Sequence, residues 1–342
     1  MAVIVNIRNR LSFHVDIENW KLSSPVRITG YTFNDHDALV VTISDGIHVG
    51  RGEAAGVYYL DDFPDRGIQQ LEEVRDKIEA GLTRDELRQL LPPGGARNAV
   101  DCALWELESR QASEPVWALA GLRPPKPLLT TYTLSADTPE AMAEGARGKY
   151  ADARAIKLKL LGDGLDGDRV RAVRAARDDV WIGVDANQGF DPNSLAELMP
   201  VFLDARVGLI EQPFKVCDDA LLDGLVSPIP LAADESVRSL ADVAALVGRF
   251  QVMNIKLDKC GGLTEGLLMA EEARRLGLKV MIGNMTGTSL AMAPALLIGQ
   301  YCDVVDLDGP LFFESDRNPP IVYDHGMVSA PAGVWGWSNL AT

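Results

Sequence analysis

Two hydrophobic patterns divide the chain near residue 125. In the first part, residues 38–43 are rich in β-branched and apolar side chains and precede a Ser-Asp-Gly triplet, which predicts a strand and a turn. Residues 67–120 follow a helical period instead, and within 97–110 apolar side chains recur every three or four positions. The Gly- and Pro-rich stretch at 121–127 ends this pattern and predicts a linker between two domains.

After this linker, short apolar runs alternate with segments of helical length. Eight runs predict the strands of an α/β fold: 131–134, 155–160, 180–185, 207–211, 229–234, 252–256, 279–284 and 302–306. We therefore predict a TIM-like (β/α)8 barrel with an accessory domain, for which 342 residues are sufficient. A doubly wound open sheet is the competing architecture, but no Gly-rich phosphate loop follows the first strand.

Charged residues end successive predicted strands at a regular distance. The steps between Lys159, Asp185, Glu211, Asp234 and Lys256 are 26, 26, 23 and 22 residues, and each step is about one βα unit. A single charged residue at a strand end usually begins a solvated loop. Five at unit spacing favour a shared location at the carboxyl ends of the barrel strands, where catalytic groups collect.

The three carboxylates in this series come from consecutive strands. Side by side, Asp185, Glu211 and Asp234 would repel one another unless a proton or a cation relieved the charge. Oxygen ligands without His or Cys favour Mg²⁺, and no histidine lies between residues 125 and 320. We therefore predict a Mg²⁺ site, with three ordinary surface ion pairs as the alternative.

Two lysines flank the carboxylates, one strand before and one strand after them. Lys159 and Lys256 would then face a metal-held group from opposite sides, with a pKa lowered by the cationic surroundings so that each acts as a base. One lysine would remove an α-proton beside a carboxylate and the other would return it to the opposite face, through an enediolate. Lys157 points the same way as Lys159 and could neutralise the substrate carboxylate.

These residues resemble the enolase superfamily, in its muconate-lactonizing-enzyme subgroup. The resemblance rests on five motifs across most of the chain: Lys-Leu-Lys at 157–159, Val-Asp-Ala-Asn at 184–187, Glu-Gln-Pro at 211–213, Ala-Asp-Glu-Ser at 233–236, and 254–262. It implies an α+β capping domain (1–122, joined by 320–342) over a modified barrel (127–319). It also implies that the triad binds Mg²⁺, with Asn187 and Glu235 beside it.

A further motif resembles the dipeptide epimerases of this subgroup, in particular L-Ala-D/L-Glu epimerases. Asp306-Leu-Asp308 ends the eighth predicted strand, where two carboxylates would hold the ammonium group of a dipeptide. A turn at Asp-Gly-Pro is the structural alternative. Thr133 and Asn284, at the first and seventh predicted strand ends, fall where such enzymes contact substrate.

One region departs from the glutamate-specific members of that class. Those enzymes carry an arginine in the first capping loop, whereas residues 31–37 of this chain contain neither Arg nor Lys. The nearby Arg27 lies before this loop. The second capping loop, residues 54–62, is aromatic and acidic. With Phe33 and Tyr58 as loop residues that set specificity, we expect a hydrophobic or cationic second residue rather than glutamate.

Composition excludes several other classes of protein. Net charge is −16, which argues against nucleic-acid binding, and no apolar run has the length of a membrane span or of a signal-peptide core. Four scattered cysteines without CxxC spacing favour a reducing cytoplasm over a zinc or disulfide framework. We expect a cytoplasmic homo-oligomer whose partner is a small dipeptide.

Other reactions of the same scaffold remain open. An N-acylamino acid racemase, an o-succinylbenzoate synthase or a cycloisomerase would share the lysines and metal ligands, so Asp306 and Asp308 are the residues that separate them. A catalytically silent barrel that only binds metal is the rival from a different class. It has no need of both lysines and all three carboxylates.

Overall fold

The N-terminal part is a three-stranded antiparallel sheet. The computed structural model describes residues 10–28 and 31–336, with the side chains of residues 27, 28 and 31 outside the description. The strands are β1 (Ser12–Ile28), β2 (Tyr31–Ser44) and β3 (Val49–Ala54), in the order β1-β2-β3. The predicted strand at 38–43 is confirmed within β2, and the predicted turn lies between β2 and β3.

Four helices follow this sheet, as the periodicity predicts. They are α1 (Pro64–Glu79), α2 (Arg84–Leu90), α3 (Gly95–Ala112) and α4 (Val116–Leu119). Helix α3 packs so closely on β3 that a Cβ added to Gly50 or Gly52 would lie 2.0 or 1.9 Å from a helix carbonyl oxygen. The two glycines therefore allow direct contact between the helix and the strand backbone.

The second part is an eight-stranded parallel sheet in which strand order follows chain order. After the short β4 (Leu128–Leu129), its strands are β5 (Tyr132–Leu134), β6 (Ala155–Lys159), β7 (Trp181–Asp185), β8 (Val207–Glu211), β9 (Leu231–Ala233), β10 (Val252–Ile255), β11 (Lys279–Ile282) and β12 (Val304–Val305). Every predicted run contains one of these strands. The amide of Thr131 donates to the carbonyl of Val305 at 2.9 Å, which joins the last strand to the first. The predicted barrel is confirmed.

The connections show why the barrel is a modified one. Six α-helices occur in this part: α5 (Pro139–Arg147), α6 (Asp166–Ala176), α7 (Pro192–Asp204), α8 (Leu257–Cys260), α9 (Leu263–Arg275) and α10 (Ser289–Gly299). The connections after β8 and β9 carry 3-10 helices instead, at Val216–Leu222 and Leu240–Leu246. The outer ring of α-helices is therefore interrupted beside these two strands.

The C-terminal segment runs back toward the N-terminal part. Strands β13 (Val322–Asp324) and β14 (Met327–Ser329) form a small sheet with β4. The buried Trp335 then donates its indole N–H to the carbonyl of Arg51 at 2.9 Å. Residues 337–342 of the predicted returning segment lie outside the described residues, and the domain bounds 1–122 and 127–319 stay a prediction.

Candidate active site

A cavity of about 380 Å³ lies between the carboxyl ends of the barrel strands and the N-terminal sheet. Twelve of the fourteen predicted site residues line it: Phe33, Tyr58, Thr133, Lys157, Lys159, Asn187, Asp234, Glu235, Lys256, Asn284, Asp306 and Asp308. The other two, Asp185 and Glu211, are buried beside it and lie 3.2 and 3.0 Å from the Lys157 ammonium nitrogen. The fold therefore brings together the residues predicted from strand spacing and those implied by the family resemblance.

Strand register explains how these residues come to one level. Lys159 is the register partner of Asp185, and Asp185 is the partner of Glu211. Glu211 pairs with Ala232, two residues before Asp234, so the fourth polar side chain lies one step further along its strand. In parallel strands this arrangement points successive side chains into the same end of the barrel.

The three carboxylates form a compact group that fits a cation. One oxygen from each of Asp185, Glu211 and Asp234 lies within 4.8 Å of the others, and all three residues are buried. Burial, together with the neighbouring charge of Asp185, raises the pKa of Glu211 to about 7. Glu211 Oε2 is buried and lies 3.0 Å from Lys157 Nζ, but it accepts no hydrogen bond from the described residues. Hard oxygen donors with such unmet demand are the set that suits Mg²⁺.

Two residues that the sequence interpretation missed hold these carboxylates in place. Asn254 Nδ2 donates to Glu211 Oε1 at 2.8 Å, and Lys259 Nζ donates to Asp234 Oδ1 at 2.5 Å. Both could have been found by spacing. Asn254 precedes Lys256 by two on the same strand, and Lys259 follows it by three on the turn that begins there.

The two predicted bases contact different members of the triad. Lys159 Nζ donates to Asp185 Oδ2 at 2.7 Å and to Asn187 Oδ1 at 3.0 Å, while Lys256 Nζ donates to Asp234 Oδ2 at 2.6 Å. For Lys256 the lowered pKa expected beside Mg²⁺ stays a prediction. Burial lowers its pKa, but the charge of Asp234 outweighs that effect and the net shift is upward.

Asn187 and Glu235 lie beside the triad, as the resemblance implies. The Asn187 amide donates to Asp185 Oδ1 at 2.9 Å, and its side chain donates to Glu235 Oε1 at 3.4 Å. Burial raises the pKa of Glu235 to about 7, and the charges of Asp234 and Asp185 add to the rise. Asn187 thus contacts both Lys159 and the buried Glu235.

The two aspartates after β12 differ in their partners. Asp306 Oδ2 accepts from Lys157 Nζ at 2.7 Å, and its Oδ1 accepts from the Thr131 hydroxyl at 2.5 Å. Asp308 Oδ2 accepts from the Thr133 amide at 2.6 Å, and the Thr133 side chain also donates to the Asp308 carboxylate. Burial raises the pKa of Asp308 to about 7, and the charge of Asp306 adds to the rise. Asp308 therefore faces the cavity without a cationic partner among the described residues.

Asn284 supports this end of the cavity. Its side-chain amide donates to the backbone carbonyl of Asp306 at 2.7 Å, and its oxygen accepts from the Thr286 amide at 2.8 Å. Asn284 also lines the cavity, and its contact with substrate stays a prediction.

The N-terminal part contributes aromatic and acidic side chains to the cavity. The rings of Phe33 and Tyr58 meet edge to face with centroids 5.2 Å apart. The charged residues that line this side are Asp35, Asp37 and Asp65, and no lysine or arginine of the described N-terminal residues is among the lining. The side chain of Arg27 lies outside the described residues.

The chain belongs to the mandelate racemase/muconate lactonizing enzyme family of the enolase superfamily. The model of its N-terminal domain matches residues 11–121, and the enolase C-terminal domain-like model matches residues 141–336. The resemblance inferred from the five motifs is thereby confirmed.

Curated relatives agree with this assignment. The chain is 36% identical over 310 residues to the L-Ala-D/L-Glu epimerase of Escherichia coli (strain K12), covering 90% of this chain and 96% of the relative. It is also 36% identical over 309 residues to the N-acetyl-D-glutamate racemase of a Pseudoalteromonas species, covering 88% and 96%. The prediction of an isomerase of the racemase and epimerase class is confirmed.

Solved structures give the same result. An enolase family member from Agrobacterium tumefaciens with homology to dipeptide epimerases, holding sodium and L-Ala-L-Glu, superposes with a TM-score of 0.91 at 39% identity, covering 96% of this chain and 100% of that one. A dipeptide epimerase from Methylococcus capsulatus complexed with Mg and L-Arg-D-Lys superposes with a TM-score of 0.88 at 27% identity, covering 94% and 97%. Across the described residues, no helix combines the length and apolar character needed to cross a bilayer.

Proposed function

We propose that the chain is a Mg²⁺-dependent dipeptide epimerase. It inverts the α-carbon of the C-terminal residue of a dipeptide by moving a proton between Lys159 and Lys256. The observation that carries this proposal is the placement of Asp308, which has no cationic partner among the described residues, in the same cavity as both lysines. One cavity thus offers two candidate bases and an anionic group for the substrate ammonium.

The cavity suits the two ends of a dipeptide. The ammonium group would pair with Asp308, because Lys157 already neutralises Asp306 at 2.7 Å. The substrate carboxylate would lie toward the triad and Lys157, whose positive charge is held by three surrounding acids. Lys157 therefore orients the substrate at its carboxylate and, through Asp306, at its other end.

Asp185, Glu211 and Asp234 would hold the Mg²⁺. When bound, the ion supplies positive charge that stabilises the negative charge developing on the substrate carboxylate as the α-proton leaves. Sharing the charge of Asp234 with a cation also removes the main cause that raises the pKa of Lys256. That change favours the neutral amine that a base requires.

The lysines carry out the proton transfer. One neutral amine takes the α-proton on one face, and the other, as an ammonium, donates a proton to the opposite face of the same carbon. By analogy with the family, Lys159 would face the L-configured carbon and Lys256 the D-configured carbon. Asp185 and Asn187 hold the first amine, whereas Asp234 holds the second.

Exchange of the α-proton in D₂O with Mg²⁺ present tests the proposal. The wild-type chain should exchange and epimerise the C-terminal residue of a dipeptide, and Lys159→Ala and Lys256→Ala should each lose epimerisation. Equal behaviour of all three proteins would contradict the proposal and favour a silent barrel.

We further propose that the second residue is hydrophobic or cationic rather than glutamate. The aromatic pair Phe33 and Tyr58 suits an apolar side chain or the stem of a long one, and Asp35, Asp37 and Asp65 would repel a second carboxylate. The two related structures hold different second residues: the Agrobacterium protein holds L-Ala-L-Glu, whereas the Methylococcus protein holds L-Arg-D-Lys. Screening a dipeptide library for epimerisation decides between these chemistries, and a best rate on Ala-Glu would overturn this preference.

An N-acylamino acid racemase is the second candidate, favoured by the 36% identity to the N-acetyl-D-glutamate racemase. An N-acyl substrate has no ammonium and no use for Asp308. The double variant Asp306→Asn/Asp308→Asn should lose dipeptide turnover if dipeptides are the substrates. Faster turnover of N-acyl amino acids than of dipeptides by the wild-type chain would favour the racemase.

A cytoplasmic location and a homo-oligomeric state remain part of the proposal. All four cysteines are unpaired, which suits a reducing compartment. Fractionation of the source cells tests the location, and light scattering of the purified chain tests the assembly.

A further inference from the structure

One loop of the N-terminal part forms a wall of the cavity. We call residues 55–62 the wall loop, and it contains the 3-10 turn Tyr58–Leu60. The loop closes on itself, since the Val57 amide donates to the carbonyl of Asp62 at 2.8 Å. Gly56 has φ +75°, and a Cβ added there would lie 2.2 Å from the same Asp62 carbonyl. The loop is therefore a compact unit whose position depends on what holds its ends.

Each end of the wall loop is held by an aspartate, the partly exposed Asp62 at one end and the buried Asp258 at the other. At the far end, Asp62 Oδ2 accepts from the Gly95 amide at 2.8 Å, within the N-terminal part itself. At the near end, Asp258 Oδ1 accepts from the amides of Ala55 at 2.8 Å and Gly56 at 3.0 Å. Asp258 belongs to the barrel, so this second anchor joins the loop to the catalytic part of the chain.

Burying the Asp258 carboxylate costs desolvation free energy that its contacts must offset. It is 4% exposed, and no lysine, arginine or histidine of the described residues forms an ion pair with it. A buried carboxylate without a counter-ion is stable only if hydrogen bonds satisfy it. The amides of Ala55 and Gly56 therefore stabilise the Asp258 carboxylate, and Asp258 in turn fixes the position of the loop.

The same turn that carries Asp258 also carries a proposed base. Helix α8 begins directly after Lys256, whose ammonium contacts Asp234, and Asp258 lies two residues further on. On the other side of the cavity wall, burial raises the pKa of the Tyr58 hydroxyl and the positive charge of Lys256 opposes that rise. Tyr58 thus lies within electrostatic reach of Lys256.

We propose that Asp258 is a positioning residue that fixes the position of the wall loop relative to Lys256. It thereby determines which dipeptide side chains fit beside Tyr58. The inference rests on the proposed epimerase function for its kinetic consequence, but its structural consequence is independent of any substrate. Loss of the anchor shifts the wall and leaves the lysines and the triad in place.

Hydrogen exchange of the wall loop tests the structural consequence without substrate. In Asp258→Ala the amides of Ala55 and Gly56 lose their acceptor, so deuterium uptake by a peptide covering residues 55–62 should rise at least about tenfold in rate. Asp258→Asn keeps an oxygen that accepts both hydrogen bonds and should behave like the wild-type chain. Unchanged uptake in Asp258→Ala would overturn the proposal even if the chain proves not to be an epimerase.

Kinetics on a set of dipeptides tests the functional consequence. For Asp258→Ala we expect KM for the preferred dipeptide to rise about 10- to 100-fold and its preference over other dipeptides to shrink, while kcat changes little. Asp258→Asn should restore both values. A uniform fall in kcat for every dipeptide, with selectivity unchanged, would mean that Asp258 serves only the stability of the barrel and would overturn the proposal.

A second variant perturbs the same loop from the opposite side. Gly56→Ala places a Cβ against the Asp62 carbonyl and leaves Asp258 intact, so it should shift selectivity in the same way. It also keeps the test open if Asp258→Ala does not fold. Wild-type selectivity in Gly56→Ala, with increased exchange of the loop, would contradict the link between loop position and substrate choice. If the wild-type chain epimerises no dipeptide, the proposed function fails and the exchange result still decides the anchor.

Discussion

The two walls of the cavity are built by different means. The barrel wall consists of charged groups that bond to one another, as in the contacts of Lys157 with Asp306, Glu211 and Asp185 at 2.7, 3.0 and 3.2 Å. The wall from the N-terminal part consists of packed rings, such as Phe33 and Tyr58 at 5.2 Å, with aspartates along its edge. In the proposed function the first wall moves protons and holds a cation, whereas the second selects substrates by shape and charge.

This difference follows from how each wall is supported. Barrel side chains project from strands whose register fixes them to within one residue, for example Lys159 opposite Asp185. The wall loop is fixed by a few hydrogen bonds at its ends, to Asp258 and Gly95. Changes on the barrel side should therefore abolish chemistry, and changes on the loop side should redirect it.

The largest effect is expected from the two lysines. Lys159→Ala and Lys256→Ala should each reduce the epimerisation rate by up to about 10⁴-fold, because each removes one of the two proton-transfer groups. Each variant should still exchange the α-proton of one epimer with solvent. NMR of both epimers in D₂O measures this. Loss of exchange from both epimers in a single variant would contradict the separation of the two faces.

Metal removal should have the second-largest effect on the reaction rate. Chelation followed by gel filtration should lower kcat by roughly 10³-fold, because the carboxylate charge of the transition state is no longer stabilised. Re-addition of Mg²⁺ should restore it and raise the melting temperature, since binding at 100 times Kd contributes about 2.7 kcal/mol of stability. Glu211→Gln, which removes one charge from the triad, should weaken both responses. Full activity without any divalent ion would contradict the proposed site.

Replacing the proposed ammonium site should have a smaller and more selective effect. Asp308→Asn keeps the shape of the side chain and removes the charge, so kcat/KM for dipeptides should fall about 10²-fold. An N-acyl amino acid serves as the control substrate, because it has no ammonium to lose contact with. Equal losses for both substrates would mean that Asp308 acts on the fold rather than on the ammonium.

The same aspartate predicts an acid limb in the pH profile. Burial raises the pKa of Asp308 from its ordinary value of 3.8 to about 7, so most of it is protonated at pH 6 and ionised at pH 8. Asp306 raises this pKa, whereas the Thr133 amide and Lys157 lower it. Because only the ionised form attracts an ammonium, kcat/KM for dipeptides should rise about tenfold per pH unit below 7. Asp308→Asn should lose this limb, and persistence of the limb there would assign it to another group.

The sequence predicts the barrel wall far better than the other wall, and strand geometry is the reason. Steps of one βα unit from Lys159 to Lys256 predict that both lysines and the triad lie at one end of the barrel. Missed contacts such as Lys259 with Asp234 cross between a turn and a strand end, where the direction of a side chain depends on the local backbone.

Contacts between distant segments were beyond prediction from spacing. Lys157 and Asp306 are 149 residues apart. The sequence analysis assigns Lys157 to the substrate carboxylate and Asp306 to the ammonium, not to each other. Asp258 and the amides at 55 and 56 are separated by more than 200 residues. Backbone amides carry no sequence signal at all, so a loop anchor of this kind emerges only from the fold.

The smallest effect is expected on the aromatic wall, and it tests the comparison most directly. Tyr58→Ala removes a ring that packs on Phe33 and lines the cavity but carries no charge for the reaction. Its kcat on the best dipeptide should change about two- to threefold, whereas the preference between large and small second residues should change about tenfold, since a lost aromatic contact costs about 1 kcal/mol beyond burial. Competition between two dipeptides in one reaction measures this ratio directly. Tyr59→Phe is the matched control, because it keeps the neighbouring ring and removes a hydroxyl that has no hydrogen-bond partner in the part of the chain that the structure describes. If Tyr58→Ala lowered kcat as strongly as a lysine variant, the aromatic wall would take part in the chemistry, and the division between a reacting wall and a selecting wall would be wrong.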